Sequence, residues 1–112
     1  MKMKNIDLVL AVNGLCSLRK ECTATFPIKV AHTINRNIKK LLIEVEPYEE
    51  DRKEIMSENI PDSEKGKKLN ELLNYGENVE LDMIDLKDLD GISLTLNQME
   101  TLEIMIRKDD ES

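Results

Sequence analysis

The stretch that decides the fold is FPIKVAHTINRNIKKLLIEVEPYEEDRKEIMSEN, Phe26–Asn59. Within it Ala31, Ile34, Ile38, Leu41, Val45, Tyr48, Arg52 and Ile55 recur in alternating steps of three and four residues. On a helix of 3.6 residues per turn these positions form one stripe, the a/d pattern of a heptad seam. The spacing predicts a long helix that buries this stripe. Pro47 lies inside it and lacks the N–H that would bond to the carbonyl of Ile43. Because the stripe resumes in register beyond Pro47, the expected outcome is a kink near Glu46 and not a stop. Two uses of the seam, Ile34, Ile38, Leu41, Val45, Tyr48, Arg52 and Ile55, stay open at this level. It is either a core stripe covered by its own chain or the interface of a homodimer, with the Arg52 stem packed at an open end and its charge in water.

Working outward, Ile6, Leu8, Val9, Leu10, Ala11, Val12 and Leu15 predict a first helix that is apolar over much of its circumference and ends between Leu18 and Glu21. ECTATFP then favours an extended link, with Pro27 at the start of the second helix, so the two helices should form a hairpin. SENIPDSEKGKK carries almost no apolar residue and reads as a solvated connection. KKLNELLNYG predicts a short helix stopped by Gly76, and NVELDMIDL alternates with period two, as a half-buried strand does. DLDG, Asp88–Gly91, is turn chemistry. In the last helix Thr95 and Gln98 form a capping box, Leu94 and Met99 are placed as a hydrophobic staple, and Leu96, Met99, Leu102 and Ile106 are expected to share its buried face. The expected architecture is mainly α with a small α+β part. It is a single domain, 1–112, with a helical hairpin over 1–57, the solvated connection over 58–68 and the α+β end over 69–112.

The chain of 112 residues has a formal net charge of −7 and only three aromatic residues, Phe26, Tyr48 and Tyr75. General binding to a phosphate backbone is disfavoured by that charge, and single-strand stacking platforms are lacking. The core must be aliphatic. Apolar runs fall short of the ~18 residues that span a bilayer, so no membrane segment is expected. The opening MKMKNIDLVLAVNGLCSLRK has the basic start of a signal peptide, but Asp7 and Asn13 interrupt its apolar part and CSLRKEC is a poor cleavage region. Cys16 and Cys22 are too few and too oddly spaced for a zinc or redox motif and read as small buried or half-buried thiols.

The phrases FPIKVAHTINRNIKKL, EPYEEDRKEI, VELDMIDL and ISLTLNQMETLEIMI, in this order between Leu8 and Ile106, resemble a group of small proteins encoded by tailed bacteriophages. The resemblance rests on the apolar pattern and carries no catalytic residues. It implies a protein made in a host bacterial cytoplasm, acting there or carried in the virion.

No constellation of catalytic type stands out. DLDG suggests a calcium loop, but aligning Gly91 with the loop glycine puts Leu86 and Asn97 where carboxylates are required. On a strand over 79–86 Glu80 and Asp82 share one face and Asp85 lies on the other, so Asp82, Asp85, Asp88 and Asp90 do not form one metal site and the reading is a solvated acidic strand face; His32, the single histidine, reads as a surface residue. No enzyme, cofactor or metal is expected. The long helix does carry an unusual charge order. Lys29, Arg36 and Lys40 lie within roughly 40° of one another and opposite the seam, and the acidic residues follow. This is the reverse of the order the helix dipole favours. The three cations are the candidate partner-binding patch, and reversing Arg36 and Lys40 is expected to spare the fold. The expected function is non-enzymatic binding of a host or phage protein, either inhibiting a host defence complex or serving head or tail assembly. A sponge for a small anionic ligand is the third alternative.

Overall fold

The computed structural model describes residues 2–22 and 26–107, with the side chain of Cys22 excluded. The chain order is β1 (Lys2–Lys4), α1 (Asn5–Cys22), α2 (Ile28–Ser57), α3 (Asp62–Asn74), β2 (Gly76–Asn78), a 3₁₀ turn (Leu86–Leu89), α4 (Leu96–Leu102) and a second 3₁₀ turn (Glu103–Met105). The protein is mainly helical, with a helical hairpin, one small antiparallel sheet and a C-terminal helix. The centre of the expected link between α1 and α2, residues 23–25, lies outside the described residues, as does the acidic end, 108–112.

The heptad stripe forms the spine of the core. Ile34, Ile38, Leu41, Val45 and Tyr48 are buried, Ile55 is half-buried and Arg52 is exposed. The helix runs through Pro47 without a break. Pro47 and Ile43 are both exposed, so the carbonyl left without its helical partner lies on the side open to water. The seam is covered by the same chain. Leu8, Ala11, Leu15 and Leu18 of α1, with Val79, Ile84, Leu89, Leu102, Met105 and Ile106, complete one cluster around it. The stripe from Ile34 to Tyr48 is thus occupied by its own chain and offers no apolar surface to a second copy.

α1 buries one stripe on α2 and leaves Leu10 exposed. At Gly14 a Cβ would stand 2.9 Å from Thr101 Cγ2, so the missing side chain is what lets α4 lie close to α1. The start of α1 is fixed from a distance: Tyr75 O accepts from Asn5 N at 2.9 Å and Leu72 O from Asn5 Nδ2 at 2.7 Å. Met3 and Val79 are buried beside the β1–β2 pair, in which Met3 faces Glu77.

Three expectations are corrected. The connection expected over 58–68 is helical from Asp62, directly after Pro61, because Asp62 and Glu64 favour the first turn and Leu72 and Leu73 supply enough apolar surface at the far end. Gly76 is not a left-handed helix stop; it enters β2, where a Cβ would stand 3.3 Å from Met3 O. The strand expected over NVELDMIDL does not form: beyond Asn78, the last residue of β2, the stretch has no ladder and only one parallel bridge, Ile84 to Ile106. Ile84 N donates to Met105 O at 2.8 Å and Arg107 N to Ile84 O at 2.7 Å. The DLDG turn does form, with Gly91 at φ 81 and Ile92 N donating to Leu89 O at 3.1 Å. The capping box at Thr95 and Gln98 also forms, with both bonds present. Leu94 and Met99 pack on the core, but Leu96, the first residue of α4, is 77 % exposed because it lies about 120° round the helix from buried Leu102.

Candidate functional site

The basic stripe of α2 meets the acidic segment that follows β2. Its anchor is Asn37, the one buried polar side chain among the described residues. Asn37 Oδ1 accepts from Asp82 N at 2.8 Å, and Asn37 Nδ2 donates to Asp82 O at 2.9 Å and to Met105 Sδ at 3.4 Å. The carboxamide thus does for residue 82 what a neighbouring strand would do, satisfying both backbone groups of a residue that joins no sheet.

With its backbone held there, the Asp82 carboxylate lies between two cations. Arg36 Nε donates to Oδ2 at 2.6 Å and Lys40 Nζ to Oδ1 at 2.9 Å. Lys29 Nζ lies 3.3 Å from Asp88, and Arg107 Nη1 lies 3.4 Å from Asp85. The patch of Lys29, Arg36 and Lys40 therefore faces its own chain's carboxylates and clasps the C-terminal part to α2. It is not a free positive surface. Reversing Arg36 and Lys40 to Glu would surround Asp82 with like charge, so the variant is expected to melt earlier than the native chain, contrary to the expectation from the helix alone.

Asp82 is held below the ordinary carboxyl value of 3.8, first by the Lys40 hydrogen bond, which outweighs its desolvation, and then by Arg36. Asp88 is lowered first by the hydrogen bond from Asp85 N, at 3.0 Å, and then by Lys29. A carboxyl whose folded value lies below its unfolded one contributes stability that is complete above the unfolded value and is lost as the pH falls through the folded value. Thermal melts are thus expected to weaken as the pH drops below 3.8, and Asp82→Asn should lose part of that dependence. An acid limb identical in the two proteins would exclude Asp82 from it.

A second feature lies between the C-terminal part of α2 and α3. An open groove of about 450 Å³ has Ile55, Leu72 and Tyr75 as its apolar lining and Asp51, Glu54, Glu58 and Glu71 as acidic residues along it. The cation beside them, Lys68, is paired with Glu58 at 3.0 Å. Apolar side chains flanked by carboxylates suit a basic segment that also offers an apolar side chain. The groove is not legible in the sequence because the polar run Ser57–Lys68 carries no apolar period, and only the reversal between α2 and α3 brings Ile55 beside Leu72 and Tyr75.

Elsewhere, His32 is exposed, beside Phe26 and Ile28. Among the described residues no group of three or more His, Cys, Asp or Glu side chains could hold a metal ion. No described helix is long and apolar enough to cross a membrane. Comparison of the chain with protein-family models, curated proteins and solved structures finds no match.

Proposed function

We propose that this is a non-enzymatic phage protein that binds another protein inside the host bacterial cell and inhibits the complex to which that protein belongs. The carrying observation is the groove between α2 and α3, with exposed Tyr75 among its apolar residues and carboxylates on both helices. Its occupant on this reading is a basic segment of the host protein, with lysine or arginine near an apolar side chain. The setting rests on the resemblance of the α2, acidic and C-terminal phrases to small tailed-phage proteins. The anion sponge loses its support, because the cations it would use already face Asp82 and Asp88.

The test has two stages. Tagged protein is recovered from infected cells, its partner is identified and repurified, and the affinity of the pair is measured by titration calorimetry. Glu54→Lys with Glu71→Lys is expected to weaken binding about tenfold or more and to reduce its salt dependence, while the exposed positions leave the melt intact. Recovery of a phage head or tail protein in place of a host protein would overturn the inhibitor reading in favour of assembly. Unchanged affinity in the double variant would overturn the groove.

A further inference from the structure

We propose that a recess next to the acidic groove, toward the middle of α2, receives the guanidinium of one arginine of the bound segment. The recess holds about 260 Å³ and shares Asp51, Leu72 and Tyr75 with the groove, so one segment can occupy both. The assignment rests on the groove being the seat of a basic segment, and it names the side chain that anchors that segment. α2 supplies one wall. Glu44, Tyr48 and Asp51 stand four and three residues apart on one side of the helix, and Ile55 and Glu58 continue that side into the groove. The opposite wall is the turn from α3 into β2, which brings up Tyr75 and Glu77. This turn is pinned by Asn5, whose N donates to Tyr75 O at 2.9 Å and whose Nδ2 donates to Leu72 O at 2.7 Å. The Tyr75 side chain, 62 % exposed, therefore stands on a fixed backbone.

Tyr48 points to a ligand independently of the charge. It is only 8 % exposed, and a tyrosine buried to that degree ordinarily finds a partner for its O–H. Among the described residues its hydroxyl makes no hydrogen bond, yet no side-chain oxygen sealed from solvent is left without a partner. The hydroxyl is therefore open, on the recess that Tyr48 lines. Glu44, Asp51 and Glu77 line the same space; among the described residues they make no ion pair, and no lysine or arginine stands with them. The spread of these acceptors selects a wide cation over a compact one. No three acidic side chains among the described residues are grouped so as to hold a metal ion. Guanidinium presents five N–H donors in one plane and stacks on an aromatic face, so it donates to the Tyr48 oxygen and to the carboxylates while its plane lies against the Tyr75 ring. An ammonium is a point charge with three donors and satisfies fewer of them.

The test is an NMR titration of the full chain with N-acetyl-arginine amide and, separately, with N-acetyl-lysine amide. Tyr48 and Tyr75 are the only tyrosines, so their ring signals report the recess directly. Saturable shifts of both rings are expected with the arginine probe, and about fivefold weaker binding with the lysine probe. Tyr48→Phe should weaken arginine binding about fivefold and leave the melt unchanged, because the hydroxyl it removes bonds nothing within the chain. Glu44→Gln with Glu77→Gln should weaken it about tenfold or more. Tyrosine rings that show no saturable movement overturn the recess, as does binding indifferent to Glu44→Gln with Glu77→Gln or to Tyr48→Phe. Equal affinity for the two probes overturns the choice of arginine. If the recess fails while Glu54→Lys with Glu71→Lys still weakens the recovered partner, the groove stands without this anchor. If the arginine probe binds as expected and the recovered partner ignores that double variant, the recess stands and the groove reading falls.

Discussion

Leu41→Asp is expected to abolish cooperative folding. Leu41 is fully buried at the centre of the α2 seam. The substitution removes a side chain whose burial is worth about 1.5–3 kcal/mol and leaves a carboxylate without a partner, for a combined cost of several kcal/mol. Domains of this size have about 5–15 kcal/mol in total, so the loss takes most of the margin. The neighbouring position supplies the control. Leu42 lies about 100° further round the same turn, largely in solvent, and Leu42→Asp should move the melt little, about 0.5 kcal/mol or less. Urea titrations followed by circular dichroism distinguish the two. A Leu41→Asp chain with the native midpoint would show that the stripe is not the core.

Asn37→Leu comes next in size. The branching is kept, but Leu is bulkier than Asn, so some overpacking adds to the main cost, which is one of hydrogen bonding: Asp82 N and Asp82 O lose the carboxamide that satisfies both. Each unsatisfied group costs about 1–3 kcal/mol when it stays buried, so a loss of roughly 2–6 kcal/mol is expected for the two. The loss should be local before it is global. Hydrogen exchange at the amides of Asp82 and Ile84 is expected to quicken, while the amides in the middle of α2 stay protected. If both regions quicken equally, Asn37 acts on the fold as a whole and not as the clasp. Equal stability of variant and native chain would mean that water replaces the carboxamide at no cost.

These two residues mark the boundary of what the sequence discloses. Leu41 was found by spacing, because burying one side of a helix imposes a local period that survives whatever covers it. Asn37 was not found. It sits beside the seam, three residues after Ile34 and next to Ile38, and nothing nearby marks its amide as different from that of Asn35, which is half-buried on another side. Its partner is 45 residues away in sequence. The candidate patch shows the same division. The angular grouping of Lys29, Arg36 and Lys40 is a property of the helix alone and was legible. That Asp82 and Asp88 would cover it depends on where β2 and the parallel bridge deliver the following segment.

Local chemistry likewise announced the Thr95 capping box and the Gly91 turn, each of which is closed by residues within four positions of one another. Of the helix at Asp62–Asn74 only the part before Lys67 was hidden, because that part is solvated and the apolar residues that mark the helix, Leu72 and Leu73, stand at its far end. By itself the sequence determined the long helix, its buried stripe, the hairpin and the aliphatic character of the core, all consequences of periodicity and side-chain type. Only the tertiary structure decided that the seam is filled by its own chain, that the basic stripe is an internal clasp and that α2 and α3 enclose an acidic groove. Those outcomes depend on contacts between distant segments, and no local pattern encodes which carboxylate will reach which cation.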